Sequence, residues 1–178
     1  TGSACFGKHN NNYFRTGGYC YQEGDAGSSY DLGMKALQYL ARVLDKRCKN
    51  SNFAKELMKA TNCYDYSSLS NFFINANRTK IASLSKIVTK NSSNIYAKRI
   101  ITNAVNEATL MIKTVYKQLK FTDKTLFSIV GSLGNANTLY KDMLLKKISK
   151  ISPNIIFVNK MNEAYIGSAL KAKEIASW

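Results

Sequence analysis

Cysteine pairs and long apolar runs are both missing from this chain of 178 residues. Its four cysteines form no C-x-x-C pair, so the spacing typical of zinc or iron–sulfur ligation is absent. No stretch approaches the roughly 20 apolar residues that a membrane-spanning helix needs. The sequence also shows no secretory-signal pattern, and we therefore expect reduced thiols in a cytoplasmic protein without membrane association.

Acidic residues are scarce relative to basic ones. Eleven Asp and Glu residues stand against 26 Lys and Arg residues, which gives a formal net charge of +15 at pH 7. Such a surplus is compatible with nucleic acid, anionic membranes or phosphorylated ligands. The lysines are spread along the chain, and zinc-finger, RNP-like and basic-zipper patterns are absent. We therefore interpret the charge as a solvated basic surface and do not expect nucleic acid as a partner.

The chemistry is concentrated in residues 16–30, TGGYCYQEGDAGSSY, which hold four of the chain's ten glycines. Glycines let a backbone approach a ligand closely, and the Asp25 carboxylate can accept hydrogen bonds from substrate hydroxyls. The turn Thr1-Gly2-Ser3 can present N–H groups and a hydroxyl to a phosphate. Together these segments predict a site for a nucleotide and a polar small molecule. Two alternatives stay open: the glycine loop is only a structural turn, or Asp25 is only a charge at a helix N-terminus.

Residue periodicity predicts strands and helices in an α/β order. Strands at 3–7 and 12–16 form a hairpin around the polar KHNNN turn, where His9 is expected to be exposed. Cys20, in the glycine loop, is expected to be a small packed side chain. Glycine turns after strands are where ligands bind in α/β sheets. The later elements are a helix from Ser28, helices at 53–60, 66–76, 80–90 and 94–119, a strand at 126–130, a helix to about 150, a strand at 155–158 and a helix at 163–176.

Three stretches occur in the order of a known family pattern. TGS is followed by GGYCYQEGDAGSSYDLGMKAL, where the pattern reads GTGS, then GGWG, a spacer and GDEGS before a helix. IASLSKIVTKNSSNIYAKRIITNAVNEA is similar to the family's helical insertion, and LFSIVGSLGNA with the later AYIGSALKA resembles its terminal strand, glycine turn and closing helix. The chain thus resembles the actin-like sugar kinases of the N-acetylglucosamine kinase type, within the BadF/BadG/BcrA/BcrD ATPase group. That resemblance covers nearly the whole chain and implies an RNase H-like α/β fold.

The resemblance implies phosphoryl transfer from ATP, with Mg²⁺, to a hydroxyl of an amino sugar such as N-acetylglucosamine or N-acetylmuramic acid. Positioning and neutralisation of phosphate charge dominate catalysis of this kind. It implies no metal ligand and no catalytic residue in this chain, because the family's catalytic aspartate lies in its other lobe. The implied substrate-binding residues are Gly18, Tyr19 and Asp25, and the implied nucleotide-binding residues are Thr1, Gly2, Ser3, Gly131, Ser132 and Asn135.

The same resemblance implies that residues 1–178 are a C-terminal lobe with a helical insertion at about 50–120. The DxGGTxT-like phosphate loop of the N-terminal lobe does not occur here, so we expect that lobe to be absent and this chain to be inactive alone. Three departures leave the substrate and nucleotide contacts open. They are Ala26 in place of the second acid of GDEGS, Tyr19 in place of tryptophan, and Asn94-Ile95 where relatives often carry Gly-Asp.

Two alternatives to the kinase remain. One is an activator ATPase of the benzoyl-CoA reductase or 2-hydroxyacyl-CoA dehydratase type, which would need a cysteine pair for an interfacial iron–sulfur cluster. The other is a noncatalytic sugar-sensing or nucleic-acid-binding module, whose binding to nucleic acid would depend steeply on salt. The sequence also leaves open whether the protein forms a homodimer.

Overall fold

A β-hairpin opens the fold of the computed structural model, which describes residues 2–23, 25–159 and 164–176. Strand β1 (Ala4–His9) pairs antiparallel with β2 (Asn12–Gly17). The predicted hairpin is confirmed, but its strands are longer and its turn tighter than expected. Asn10 has a φ of +54°, which asparagine tolerates better than most residues, so two residues suffice to reverse the chain.

His9 is half-buried, so the expectation that it is exposed was wrong. Its Nδ1–H donates to the carbonyl oxygen of Leu119 over 2.7 Å, and its ring stacks on Phe121 with centroids 4.9 Å apart. Because β1 continues through His9, the imidazole turns toward the end of a long helix instead of projecting from a loop. The contacts give His9 a structural role.

Helix α1 (Ser29–Leu44) begins where the glycine loop ends. The hydroxyl of its N-cap, Ser28, accepts hydrogen bonds from the backbone N–H groups of Tyr30 and Asp31, which satisfies donors that a helix start leaves free. One face of α1 is buried in the core through Leu32, Ala36, Leu37 and Leu40. The helix packs against the four shorter helices of the following segment and also against the long helix that comes after them.

Most of the middle of the chain is helical, as predicted. A polar residue caps four of the five helices there, and the longest of them, α6 (Ile95–Gln118), buries an apolar face that includes Ile101, Val105 and Ile112. The single helix expected at 80–90 is instead two helices, because Leu84 donates to the Ile81 carbonyl in a tight turn that redirects the chain. The helices are α2 (Asn52–Thr61), α3 (Tyr66–Asn75), α4 (Arg78–Ser83), α5 (Ser85–Lys90) and α6 (Ile95–Gln118).

The last part of the chain forms a parallel strand pair with helices between the strands. Thr125 of β3 lies opposite Ile155 of β4, and the ladder is three residues long. The predicted strand at 126–130 therefore ends at Phe127, and the predicted helix to about 150 is divided by an extended stretch at 136–138. These elements are β3 (Thr125–Phe127), α7 (Ser132–Asn135), α8 (Leu139–Ile148), β4 (Ile155–Phe157) and α9 (Ala164–Ala176).

Helix α6 supports the β1–β2 hairpin. It contacts β1, β2 and α8, and α1 also packs against it. The glycine loop is thereby placed between the hairpin and the start of α1. Within the described ranges, none of the helices combines the length and apolar character needed to cross a bilayer.

Candidate functional site

The turn before β1 meets the glycine loop directly. A Cβ built at Gly2 would lie 3.0 and 3.1 Å from the two carboxylate oxygens of Asp25 and 2.8 Å from Nη2 of Arg78, so this position has no room for a side chain. The Ser3 hydroxyl donates to the Ala26 carbonyl over 2.6 Å. Two segments that are more than 20 residues apart in sequence therefore form one local structure. Thr1, also predicted for this turn, lies outside the described residues, as does Gly24.

Asp25 is buried, with only 2% of its surface exposed, and is ion-paired with Arg78. The Nη2 atom of Arg78 donates to Oδ2 of the carboxylate, and the guanidinium lies 5.7 Å from the centroid of the Tyr21 ring. Arg78 was missed by the sequence reasoning. It stands 53 residues from Asp25 and carries no local motif, so only the folded chain reveals the pair.

The backbone after Asp25 is fixed to three helices. Gly27 has a φ of +83°, and a Cβ there would lie 2.8 Å from the Ala104 carbonyl oxygen of α6. Its N–H donates to Oδ2 of Asp31 over 2.9 Å, and its carbonyl accepts from the Tyr140 hydroxyl over 2.8 Å. Asp31 is also paired with Lys35 at 2.7 Å. The loop is thus a rigid support for the Asp25 carboxylate.

Burial gives the Tyr140 hydroxyl unusual acid–base properties. Removal from water disfavours the phenolate and raises the pKa of Tyr140 from 10.0 to about 12, and the negative charge of Asp31 acts in the same direction. The hydroxyl therefore remains a hydrogen-bond donor to the loop throughout the neutral range. Asp31 is the acid in the first turn of α1, whereas Asp25 lies ahead of the N-cap. Asp25 is therefore not simply a charge inside that helix turn.

Gly18 and Tyr19, the other predicted sugar residues, follow the hairpin. Gly18 has a φ of +69°, and the Arg15 guanidinium donates to the carbonyl oxygens of both Gly17 and Gly18. A Cβ at Gly18 would meet Ala4 at 2.9 Å, which places the residue beside the start of β1. The Tyr19 ring is 85% exposed, so it presents an aromatic face at the surface.

A cavity of about 490 Å³ brings together four of the predicted nucleotide residues. Gly2 and Ser3 line it, as do Gly131 and Ser132. Asn135 supports the second loop from within, because its side-chain amide donates to the carbonyl oxygens of Ile129 and Gly131 at 3.2 and 3.0 Å. The volume is in the range of small-molecule sites.

A smaller cavity of about 280 Å³ adjoins the first and shares Ser29, Ser132 and Leu133 with it. Its lining is rich in hydroxyl groups and includes Lys86 of α5. Thr138 also lines it, and the Thr138 hydroxyl is buried without a hydrogen-bond partner among the described residues. Buried hydroxyls normally have a partner, so this atom marks a place where a polar ligand group would be accommodated.

The cysteines are dispersed in the fold as they are in the sequence. Cys63 is buried, and burial raises the pKa of the Cys5 thiol to about 11. Cys20 is exposed in the glycine loop, so the expectation that it is packed was wrong. Across the residues that the structure describes, no three His, Cys, Asp or Glu side chains come together as a metal-binding group.

Comparison with characterised proteins identifies a sequence relative of this chain. The chain is 28% identical, over 180 aligned positions, to the N-acetylmuramic acid/N-acetylglucosamine kinase of Clostridium acetobutylicum. The alignment covers 97% of this chain and 58% of that kinase. The chain thus spans less than two thirds of its relative's length. No protein-family model matches the sequence.

Solved structures include a close match in fold. A protein from Chromobacterium violaceum described as an N-acetylglucosamine kinase superposes with a TM-score of 0.75 at 20% identity, over 90% of this chain and 52% of the other. The α/β, actin-like ATPase fold expected from the motifs is confirmed by this match. The resemblance to the N-acetylglucosamine kinase type is likewise confirmed.

Proposed function

We propose that this chain is the C-terminal lobe of an amino-sugar kinase that transfers a phosphoryl group from ATP to N-acetylglucosamine or N-acetylmuramic acid. The observation that carries this proposal is the close approach of Gly2 to the Asp25 carboxylate, whose oxygens would lie 3.0 and 3.1 Å from a Cβ built at Gly2. Phosphoryl transfer requires the donor phosphate and the acceptor hydroxyl to be held next to each other. The proposed phosphate turn and the proposed sugar carboxylate are neighbours in this fold.

The nucleotide would extend away from that junction. Gly2 and Ser3 would face its phosphates, and Gly131 with Ser132 would border its nucleoside across the larger cavity. The buried Thr138 hydroxyl in the adjoining cavity fits a ribose or base group that offers it a hydrogen bond. Mg²⁺ bound with the nucleotide would neutralise phosphate charge. The positive charge of this chain favours such an anionic ligand.

Asp25 would hold a sugar hydroxyl and would not act as the base. Its burial, its rigid support and its pairing with Arg78 suit a carboxylate with a fixed position. Gly18 would let the sugar approach the backbone, and Tyr19 would cover one face of the ring. The base would be an aspartate of an N-terminal lobe, as in the kinases that the motifs resemble. We place the complete enzyme in the cytoplasm.

Calorimetry on the natural full-length protein tests this proposal. N-acetylglucosamine and N-acetylmuramic acid are titrated into the wild type and into Asp25→Asn, each with and without a nonhydrolysable Mg-ATP analogue. We expect at least one sugar to bind and Asp25→Asn to weaken that binding tenfold or more, about 1.4 kcal/mol. Removing the charge takes away the charge-assisted hydrogen bond to the sugar hydroxyl.

Asp45→Asn is the matched control. Asp45 is an exposed carboxylate, paired with Arg47 at the far end of α1, about 24 Å from the loop by helix length. This variant should bind both sugars like the wild type. Absence of sugar binding to the folded wild type would refute the kinase assignment, and equal losses in the two variants would remove Asp25 from the sugar site.

A further inference from the structure

We propose that Arg78 is the specificity-determining residue for an acidic substituent on the sugar, and that it pairs with the carboxylate that N-acetylmuramic acid has and N-acetylglucosamine lacks. The inference rests on the proposed function, because it places Arg78 in the sugar site through its partner Asp25. The two sugars differ by a lactic acid ether, and the charged group of that substituent is a carboxylate, which an arginine can bind.

The two side chains of the Arg78–Asp25 ion pair differ in solvent exposure. The Asp25 side chain is 3% exposed, whereas the Arg78 side chain is 37% exposed. Arg78 is the first residue of α4, and α4 is held against α1 where Gly33 meets the backbone of Ile81. The guanidinium therefore reaches the loop from a packed helix and leaves one side accessible. A ligand seated beside Asp25 would meet that side.

The guanidinium has more donors than the protein uses. An arginine side chain carries five N–H donors in a planar fork, and the described contacts engage Nη2 with Asp25. Its Nε is buried and has no hydrogen-bond partner among the described residues. A buried N–H without an acceptor is uncommon in a folded protein. A carboxylate matches the planar fork of a guanidinium and can accept from two of its N–H groups at once.

Aromatic packing orients the guanidinium. It lies over the Tyr21 ring, and Tyr21 packs edge-on against Tyr30 of α1 with centroids 5.9 Å apart. The attraction between a guanidinium and an aromatic ring does not require its N–H groups to donate hydrogen bonds, so these donors remain for acceptors. The nearby Arg15 donates to loop carbonyls instead. Of these two arginines at the glycine loop, Arg78 is the one with an unengaged buried donor.

A thermodynamic cycle on the natural full-length protein tests the inference. Dissociation constants are measured by calorimetry for N-acetylglucosamine, for N-acetylmuramic acid and for the neutral carboxamide of N-acetylmuramic acid. The proteins are the wild type, Arg78→Gln, Arg78→Lys and the control Arg99→Gln, which makes the same charge change at an exposed position of α6. We expect the wild type and the control to prefer the acid over its amide at least tenfold, and Arg78→Gln to prefer it less than twofold.

The acid-to-amide ratio separates recognition from support. A merely structural Arg78 would weaken all three ligands together and leave the ratio unchanged. Should Arg78→Gln not fold, Arg78→Lys keeps the charge beside Asp25 but loses the planar fork, and its ratio should fall at least threefold. An unchanged ratio in the folded variants overturns the inference while the kinase assignment stands.

Failure of the proposed function would give a different pattern of sugar binding by the wild type. If the folded wild type binds neither sugar, the kinase assignment and this inference fall together. If it binds N-acetylglucosamine but not N-acetylmuramic acid, the kinase assignment stands and the role of Arg78 is refuted.

Discussion

Asp25 combines a positive φ, which is uncommon outside glycine, with a buried and ion-paired carboxylate. Its φ of +44° is uncommon outside glycine, and its carboxylate is almost fully buried. Strained, buried polar residues persist when the surrounding structure fixes them, and they cluster at functional sites. Arg78, the neighbouring Gly2 and the capped start of α1 provide that support here. These features agree with the proposed role of Asp25 in holding a substrate.

Tyr140→Phe should reveal how the loop is supported. At neutral pH we expect a loss of about 1 kcal/mol in the free energy of unfolding, because the Gly27 carbonyl loses its donor. At high pH we expect Tyr140→Phe to be more stable than the wild type. The unfolded chain ionises tyrosine near 10.0 and the folded protein ionises Tyr140 at about 12, so its contribution is complete below pH 10 and declines up to pH 12.

Denaturant unfolding at pH 7 and pH 11 measures both effects. The wild type should lose about 1.4 kcal/mol more than Tyr140→Phe between these pH values, since one pKa unit corresponds to about 1.36 kcal/mol. Tyr64→Phe, which alters an exposed tyrosine, serves as the control and should follow the wild type. Parallel pH profiles for Tyr140→Phe and the wild type would contradict the assignment.

Helices α1 and α4 meet at a glycine, and this contact positions Arg78. A Cβ at Gly33 would overlap the carbonyl oxygen of Ile81, so the two backbones touch. Gly33→Ala gains about 1 kcal/mol in helix propensity but forces the helices apart, which costs roughly 1–3 kcal/mol or more. We expect a net loss of unfolding free energy and weaker sugar binding, because α4 would withdraw Arg78 from Asp25.

Gly167→Ala in α9 is the matched control for that substitution. Gly167 is exposed, and a Cβ there would have no neighbour within 4 Å. The control should be neutral or stabilising by up to about 1 kcal/mol, with unchanged sugar binding. Thermal unfolding measures the stability of both variants, and calorimetry measures their sugar binding. A Gly33→Ala protein as stable as the control would show that the helices can separate at little cost.

The starts of the helices were predicted more accurately than the break between α4 and α5. Asn52, Tyr66 and Ile95 each begin a helix directly after a polar cap, a signal written in the local sequence. The turn at Leu84 lacks any such signal and arises where α4 packs on α1. The short β3 has a similar explanation. Its length depends on how many residues of β4 lie beside it, which local propensity does not encode.

At the scale of the whole molecule, we propose that the catalytic base and the opposing binding surface belong to an N-terminal lobe. This chain on its own is therefore expected to have no kinase turnover. Residues 1–178 alone should not phosphorylate either sugar in the presence of Mg-ATP, whereas the natural full-length protein should. Loss of a general base typically costs 10²- to 10⁴-fold, and loss of the opposing binding surface adds to that. Coupled-enzyme detection of ADP measures the rates. Comparable turnover in both proteins would place the catalytic groups within this chain.

The sequence by itself determined the local features: the glycine loop, the serine turn before β1, the caps and apolar faces of the helices, and a family resemblance carried by motif order. These features depend on neighbouring residues, so they can be recognised from spacing alone. Only the tertiary structure placed Arg78 on Asp25, 53 residues away, and Tyr140 on Gly27, 113 residues away. Such pairs depend on how α1, α4, α6 and α8 pack, and that packing is decided by side chains distributed over the whole chain.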